Sequence, residues 1–337
     1  AFPATAAGGL RHLRVSRPFN ESKPMASAPR LILHCGLHKT GTSTLQFALA
    51  RARPALAASG VLYPTNRALG IDLDVDDHNP LAARLLAAGG DSAAVAPLLA
   101  PLAGLMATPG LTSLILSAEE FGHVFLNPGA RAAVLDALAP FRPTLLYYLR
   151  RQDALKEAVF AEVVKGLYRG PIAGENHYEY DLMARFAPLL TRLAPDQLKV
   201  RPYARRHWPE GDLLADFGRA VGLAVPLAPP PRPLNQGLPR PLTYLLAAAP
   251  AGRVKGRIKF FHQLYPALFH DRHRALTPPA ARAAMLAALA PGNRAFARAH
   301  GIADIDDFLD LTTPFEPDWR PIAPAFAALA EKRFAPL

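Results

Sequence analysis

The run His34-Cys-Gly-Leu-His-Lys-Thr-Gly-Thr-Ser-Thr44 concentrates side chains that could do chemistry on an anion. Gly36 and Gly41 let the backbone turn and come close to a ligand. Thr40, Thr42, Ser43 and Thr44 bring hydroxyl donors, Lys39 a positive point charge, and His38 a ring inside the same run. The flanking residues show what must position them. Arg30–Cys35 is a short apolar run of strand type, and Ser43–Ala58 is rich in helix formers. Strand, glycine-punctuated loop and helix together form a phosphate cradle, in which the first helical amides and the helix dipole favour negative charge.

The run does not satisfy the Walker A pattern, because Lys39 precedes Gly41 and no Lys follows it. Its order, Lys-Thr-Gly-Thr-Ser/Thr, resembles the 5′-phosphosulfate loop of sulfotransferases that use 3′-phosphoadenosine 5′-phosphosulfate (PAPS). Gly36-Leu-His-Lys-Thr-Gly-Thr42 is most similar to the bacterial branch of that family. A second block, Leu145-Leu-Tyr-Tyr-Leu-Arg150-Arg-Gln-Asp-Ala-Leu-Lys-Glu-Ala158, resembles the family's strand that ends in Arg and its following helix. In the family that Arg and a Ser further along hold the 3′-phosphate. Arg150 matches the Arg, but Ala158 stands in the Ser position and has no hydroxyl. The departure implies weaker 3′-phosphate binding, a substitute donor such as Arg151, or a misaligned correspondence. Lys199-Val-Arg-Pro-Tyr203, Gly211–Phe217, Gly222-Leu223 and Asn293-Arg-Ala-Phe296 also resemble the family. The likeness spans about residues 30–300, and only the first block is specific.

The resemblance implies a P-loop-type three-layer α/β fold with a central parallel sheet and additional C-terminal helices. It implies transfer of a sulfuryl group from PAPS to a hydroxyl acceptor, such as a glycan or lipid-linked saccharide. His38, Lys39, Thr40, Gly41, Thr42, Ser43, Thr44, Arg150 and Arg151 are then the cofactor-binding set. Sulfuryl transfer also needs a base for the acceptor hydroxyl and donors for charge developing on the leaving oxygen. Lys39 suits the second task. His78, in Asp77-His-Asn-Pro80, and Glu119, after the third strand, are the candidates for the first. Each has a plainer reading: His78 as a surface residue at a helix start, Glu119 as a first-turn glutamate favoured by the dipole. Two rival functions stay open. One is a non-catalytic binder of PAPS or of sulfated polymers. The other is a P-loop kinase, against which stands the lack of a strand-end Asp suited to magnesium.

The 337 residues are half hydrophobic, which suits a globular chain, and the formal net charge of +11 suits an anionic partner. No nucleic-acid motif is visible, and nucleic acid is not expected. Cys35 is the only cysteine, so neither an internal disulfide nor a multi-cysteine metal site is possible. No metal is expected. His270 and His273, flanked by Arg, read as solvated. No apolar run approaches a membrane span, and the expected location is cytoplasmic.

Along the chain, strands are expected at Arg30–Cys35, Val61–Tyr63, Leu111–Leu116, Thr144–Arg150 and Leu198–Pro202. Helices are expected at Leu81–Ala88, from Asp91 to about Met106 with interruptions at Pro97 and Pro101, and at Ala130–Leu138, Ala154–Leu167, Tyr178–Leu193 and Asp212–Val221. This alternation is the pattern of a parallel sheet covered by helices. Its ligands bind beyond the carboxyl ends of the strands, where Lys39, Ser117, Glu119, Arg150 and Arg151 should gather. Residues 1–24 read as a flexible leader or non-native extension, and residues 25–337 as a single domain. Within it, 223–240 is a proline-rich connection and 241–337 is mainly helical, with separate helices at Val254–Leu268, Pro278–Ala290, Asn293–His300 and near Pro321–Arg333. Arg253–Lys259 is a basic run read first as a solvated helix face.

Overall fold

The structure is a computed structural model and describes residues 28–165, 181–232, 234, 240–248 and 275–315. The leader, the helices expected at 254–268 and near 321–333, the basic run and the His270/His273 pair lie outside these residues.

Five parallel strands form one sheet in the order β2-β3-β1-β4-β5. They are β1 (Arg30–Cys35), β2 (Val61–Leu62), β3 (Ser113–Ala118), β4 (Thr144–Leu149) and β5 (Leu198–Pro202). β1 is central, with Leu33 in register with Leu116 on one side and Leu145 on the other. Alternate residues of each strand feed two separate cores, as the pleat requires. Leu31, Leu33, Cys35, Leu114, Leu116, Leu145 and Tyr147 pack on one face, and Ile32, Ile115, Leu146 and Tyr148 on the other. Both faces are covered, so the strands read as continuous apolar runs rather than alternating ones.

The second face is covered by α1 (Thr42–Arg51), α2 (Arg53–Ala58) and α10 (Leu213–Val221), through Leu45, Leu49, Leu56 and Phe217. The first face is covered by α3 (Asn79–Ala88), α4 (Ser92–Leu99), α5 (Pro101–Met106), α6 (Phe121–Leu126), α7 (Pro128–Leu138), α8 (Gln152–Val163) and α9 (Leu182–Leu190). Farther along run α11 (Arg240–Ala248), α12 (Pro279–His300) and the short α13 (Ile305–Phe308). The α/β architecture with a central parallel sheet matches the sequence expectation.

Several expected boundaries shift, three of them for reasons visible in the packing. The first helix breaks at Ala52, just before Pro54, into α1 and α2. The third strand runs two residues later than expected, to Ala118, because β1 pairs with it along its whole length and β2 flanks Ser113 on the other side. The expected helices 278–290 and 293–300 are one helix, α12, continuous through Pro291. Packing outweighs the proline here. Phe296 packs against Phe186 of α9 with tilted rings, and Gln152 and Asn293 exchange side-chain amide hydrogen bonds between α8 and α12, the shorter at 2.6 Å.

Candidate functional site

The connection from β1 to β2 runs to one edge of the sheet, whereas β3 crosses over β1 to β4. Between β1 and β4 the winding therefore reverses, and open α/β sheets bind ligands at such a point. A cleft of about 680 Å³ opens there, lined by His38, Lys39, the Gly41–Thr44 turn, Glu119, Arg150 and the face of α8. That size lies within the usual range of small-molecule sites, roughly 300–1,000 Å³.

The loop after β1 is held in an unusual path. Gly36 lies so close to Thr42 and to the Glu119 backbone that an added Cβ would sit 2.7 Å from Thr42 Cγ2. Gly41 has φ +78° and an added Cβ would strike Leu213. Lys39, which is not glycine, also adopts a left-handed φ of 64°, a conformation costing an L-residue roughly 1–2 kcal/mol. Such strain persists where surrounding structure imposes it, commonly at ligand sites. Gly41 caps α1 and has no side chain, so no side-chain cap closes the helix start. Thr40 is buried and donates its hydroxyl to Leu37 O at 2.6 Å. Thr42 is also buried, and its Oγ1 has no hydrogen-bond partner among the described residues.

Arg150 donates to Lys39 O at 2.9 Å and lies over the Tyr203 ring, so the β4 end props up the β1 loop. Lys39 Nζ meets Glu162 Oε2 at 2.8 Å, and Lys165 reaches the same oxygen at 2.9 Å. Two ammonium groups thus converge on one anionic oxygen at the cleft mouth. Ala158 lines the same wall, as do Glu157 and Arg282.

On the β3 side, Glu119 Oε1 lies 3.1 Å from His38 Nδ1. The opposite nitrogen of His38, Nε2, lies 2.9 Å from Nε2 of His123. α6 can bring His123 this close because Gly122 abuts the loop; a Cβ there would sit 2.4 Å from Gly36 O. Burial opposes the charge on His38, but its hydrogen bond to Glu119 and the charge of Glu119 outweigh burial and raise its pKa. Burial also opposes the charge on Glu119, yet the His38 contact and the Lys39 charge lower its pKa overall. Both groups are thereby favoured in their charged forms.

Two predicted site residues are placed elsewhere. His78 is buried at the start of α3, where Nδ1 accepts from Ser117 N at 3.0 Å and Nε2 donates to Pro64 O at 3.0 Å. Both nitrogens are thus held by backbone, and burial lowers its pKa to about 4. His78 joins the segment before α3 to β3 and is not among the cleft residues. Arg151 points away from the cleft. It donates to Asp153 at 2.9 Å and to the carbonyls of Asp310 and Thr313, and it lies over Phe315. Arg151 ties down residues 310–315 and does not stand in for the missing hydroxyl at Ala158. Ser117 is also buried, 2.8 Å from His34 Nδ1 beneath the site.

Sequence reasoning missed Glu162, Lys165, His123 and Tyr203. A signal existed for two of them. Ala154, Ala158, Glu162 and Lys165 recur at helical spacing, and all four line the cleft. His123 and Tyr203 carried no local signal, because they reach the site only through tertiary packing. Among the described residues, no group of three or more His, Cys, Asp and Glu could hold a metal ion, and no helix is long and apolar enough to cross a membrane. Comparisons with protein-family models, curated proteins and solved structures yield no match to this chain.

Proposed function

We propose that this chain is a PAPS-dependent sulfotransferase acting on a hydroxyl acceptor of glycan type. The observation that carries the reading is the β1–α1 turn. A glycine-punctuated loop with a strained Lys39 opens an uncapped helix at the switch point of a parallel sheet, with Arg150 of β4 braced against it. This is the arrangement expected of an anion cradle.

The residues present fit such a donor in most respects. Lys39, Thr42, Ser43, Thr44 and Arg150 would hold its anionic groups, and the buried Thr42 hydroxyl, without a partner among the described residues, suits an anionic acceptor atom. When bound, PAPS supplies the sulfuryl group and a leaving phosphate oxygen. Of the cleft carboxylates, Glu157 is engaged by Thr277 and Glu162 by two lysines, which leaves Glu119, held by His38, as the candidate to take the proton of an acceptor hydroxyl. Lys39 and the start of α1 offer positive charge where negative charge must be met. Ala158 is the misfit, since the cleft wall there carries no hydroxyl. It favours, as the second reading, a protein that binds the nucleotide without turning it over.

Calorimetric titration with 3′,5′-adenosine bisphosphate tests the reading, with ATP plus magnesium as comparator. Saturable bisphosphate binding that is lost in Lys39→Ala is expected. Binding of ATP only with magnesium would move the chain to the kinase class. Bisphosphate binding without transfer to any acceptor in a saccharide screen would favour the non-catalytic binder.

A further inference from the structure

His38 Nε2 and His123 Nε2 lie 2.9 Å apart. At that distance two ring nitrogens need a proton between them, and there is room for only one. If both carried hydrogen the two donors would collide, and if neither did the two lone pairs would repel. The other nitrogen of His38 faces Glu119 Oε1 at 3.1 Å and so carries a hydrogen. The rings are therefore not independent: together they hold either no positive charge or one.

We propose that His38 and His123 form a histidine pair sharing one proton, and that the pair, rather than His38 alone, orients Glu119 and sets its charge. His123 is then a positioning residue for the transfer reaction. This rests on the sulfotransferase reading only in giving Glu119 the role of base; the proton sharing itself follows from the geometry. His38 has a ring nitrogen engaged on each side, so it is not the group that meets the acceptor. When the shared proton sits on His38, the imidazolium donates to Glu119 and to His123 at once, and Glu119 stays ionised and fixed. In transfer, the acceptor O–H bond breaks and its proton passes to Glu119, while the acceptor oxygen bonds to sulfur and the bond from sulfur to the phosphate oxygen breaks. The pair neither gains nor loses a proton in that step.

The charged groups around the pair come from every neighbouring element. Glu119 and Glu120, at the end of β3 and the start of α6, favour its positive charge. Lys39 of the β1 loop opposes charge on His38, and Arg185 of α9 opposes it on His123. The location of α6 is fixed by Gly122 against Gly36, so the contact is part of the packed fold rather than of a loose surface.

The test is NMR titration of the full chain labelled at histidine nitrogen, with resonances assigned from His38→Gln and His123→Gln. Between pH 8 and pH 5 the two rings should take up one proton in total. Uptake of two, each ring titrating on its own, overturns the proposal. In His123→Phe, His38 loses an acceptor for its charged form, and its midpoint should fall by about one unit or more. His123→Gln, whose amide oxygen can accept, should restore part of that shift. An unchanged His38 midpoint in His123→Phe overturns the positioning role, and if that variant does not fold, the wild-type proton count still decides the sharing. Bisphosphate titration of the same samples separates the two readings: absence of binding in wild type removes the sulfotransferase assignment and leaves the proton count as it is.

Discussion

Arg150 and Arg151 are neighbours in the chain and end in polar regions of opposite kinds. Arg150 faces the cleft, where several charged groups are paired but keep a solvent-facing side. Lys39 is strained, Glu162 is shared by two lysines, and the α1 start lacks a side-chain cap. Arg151 faces the packed interior, where polar groups satisfy one another. Asp153 takes hydrogen bonds from Arg151 and Arg282, and Asp216, fully buried, takes them from Tyr148 and Arg201. Burial raises the cost of leaving any one of these unmade. Interior polar groups should therefore govern stability and cleft polar groups binding.

The largest expected effect is in the interior. Asp216→Ala removes the acceptor of the buried Tyr148 hydroxyl and of Arg201 and should cost about 3 kcal/mol, the lower end for a buried pair, because Arg201 is partly exposed. Urea unfolding measures it, and a loss below about 1 kcal/mol would erase the contrast.

Next comes acid. Burial lowers both His34 and His78 to about 4. An unfolded chain protonates them near 6.5, so their contribution is intact above that pH and is lost as pH falls toward 4. Each should account for about 3 kcal/mol by pH 4, and His78→Gln should remove about half of the slope. The cleft pair behaves differently. His38 is raised and Glu119 lowered, so their mutual stabilisation holds between the two folded pKa values. It fades above the raised pKa of His38 and below the lowered one of Glu119.

Smaller still are the cleft substitutions. Lys39→Ala and Arg150→Ala should each weaken bisphosphate binding about 10- to 100-fold. Unfolding free energy should stay within about 1 kcal/mol of wild type, since the lost contacts are partly exposed. Equal losses of stability and binding would show that the cleft residues are structural. The smallest effect belongs to Glu162→Gln. Freeing Lys39 and Lys165 from a competing carboxylate should tighten bisphosphate binding about two- to five-fold in calorimetry. Weaker binding would instead make Glu162 part of the ligand site.

The contrast between the two regions also explains what could be read from sequence. The sheet was legible because strands buried on both faces are continuous apolar runs, as in Leu145–Leu149, and the β1 loop was legible because glycine, hydroxyl and lysine spacing is local. Sequence alone does not separate Arg150 from Arg151 as cofactor ligands, although successive side chains leaving a strand tend to opposite faces. Which one meets the cleft depends on residues 310–315, far away in the chain. His78 was ambiguous for a similar reason. A histidine before Asn-Pro marks a helix start whether it is exposed or buried, and only β3 packing against it decides. Ser117 and Ala118 fell outside the expected strand because a serine at a strand end is not apolar; its burial comes from β1 beside it. The helix through Pro291 was divided because the penalty for proline is local, whereas the Gln152–Asn293 pair and the Phe186–Phe296 contact that outweigh it are not.

The central place of β1 also governs the order in which the molecule can assemble. Its partners, β3 and β4, begin at Ser113 and Thr144, so the first strand made waits for both. At synthesis rates of roughly 5–20 residues per second, on the order of ten seconds separates the emergence of β1 from that of β4. Until β3 emerges, which takes most of that interval, the apolar strand and the loop after it are exposed without either neighbour. Parallel sheets of such long-range pairing nucleate slowly, and the segment Arg30–Cys35 is where a nascent chain of this protein would be most open to capture by a chaperone or by another copy.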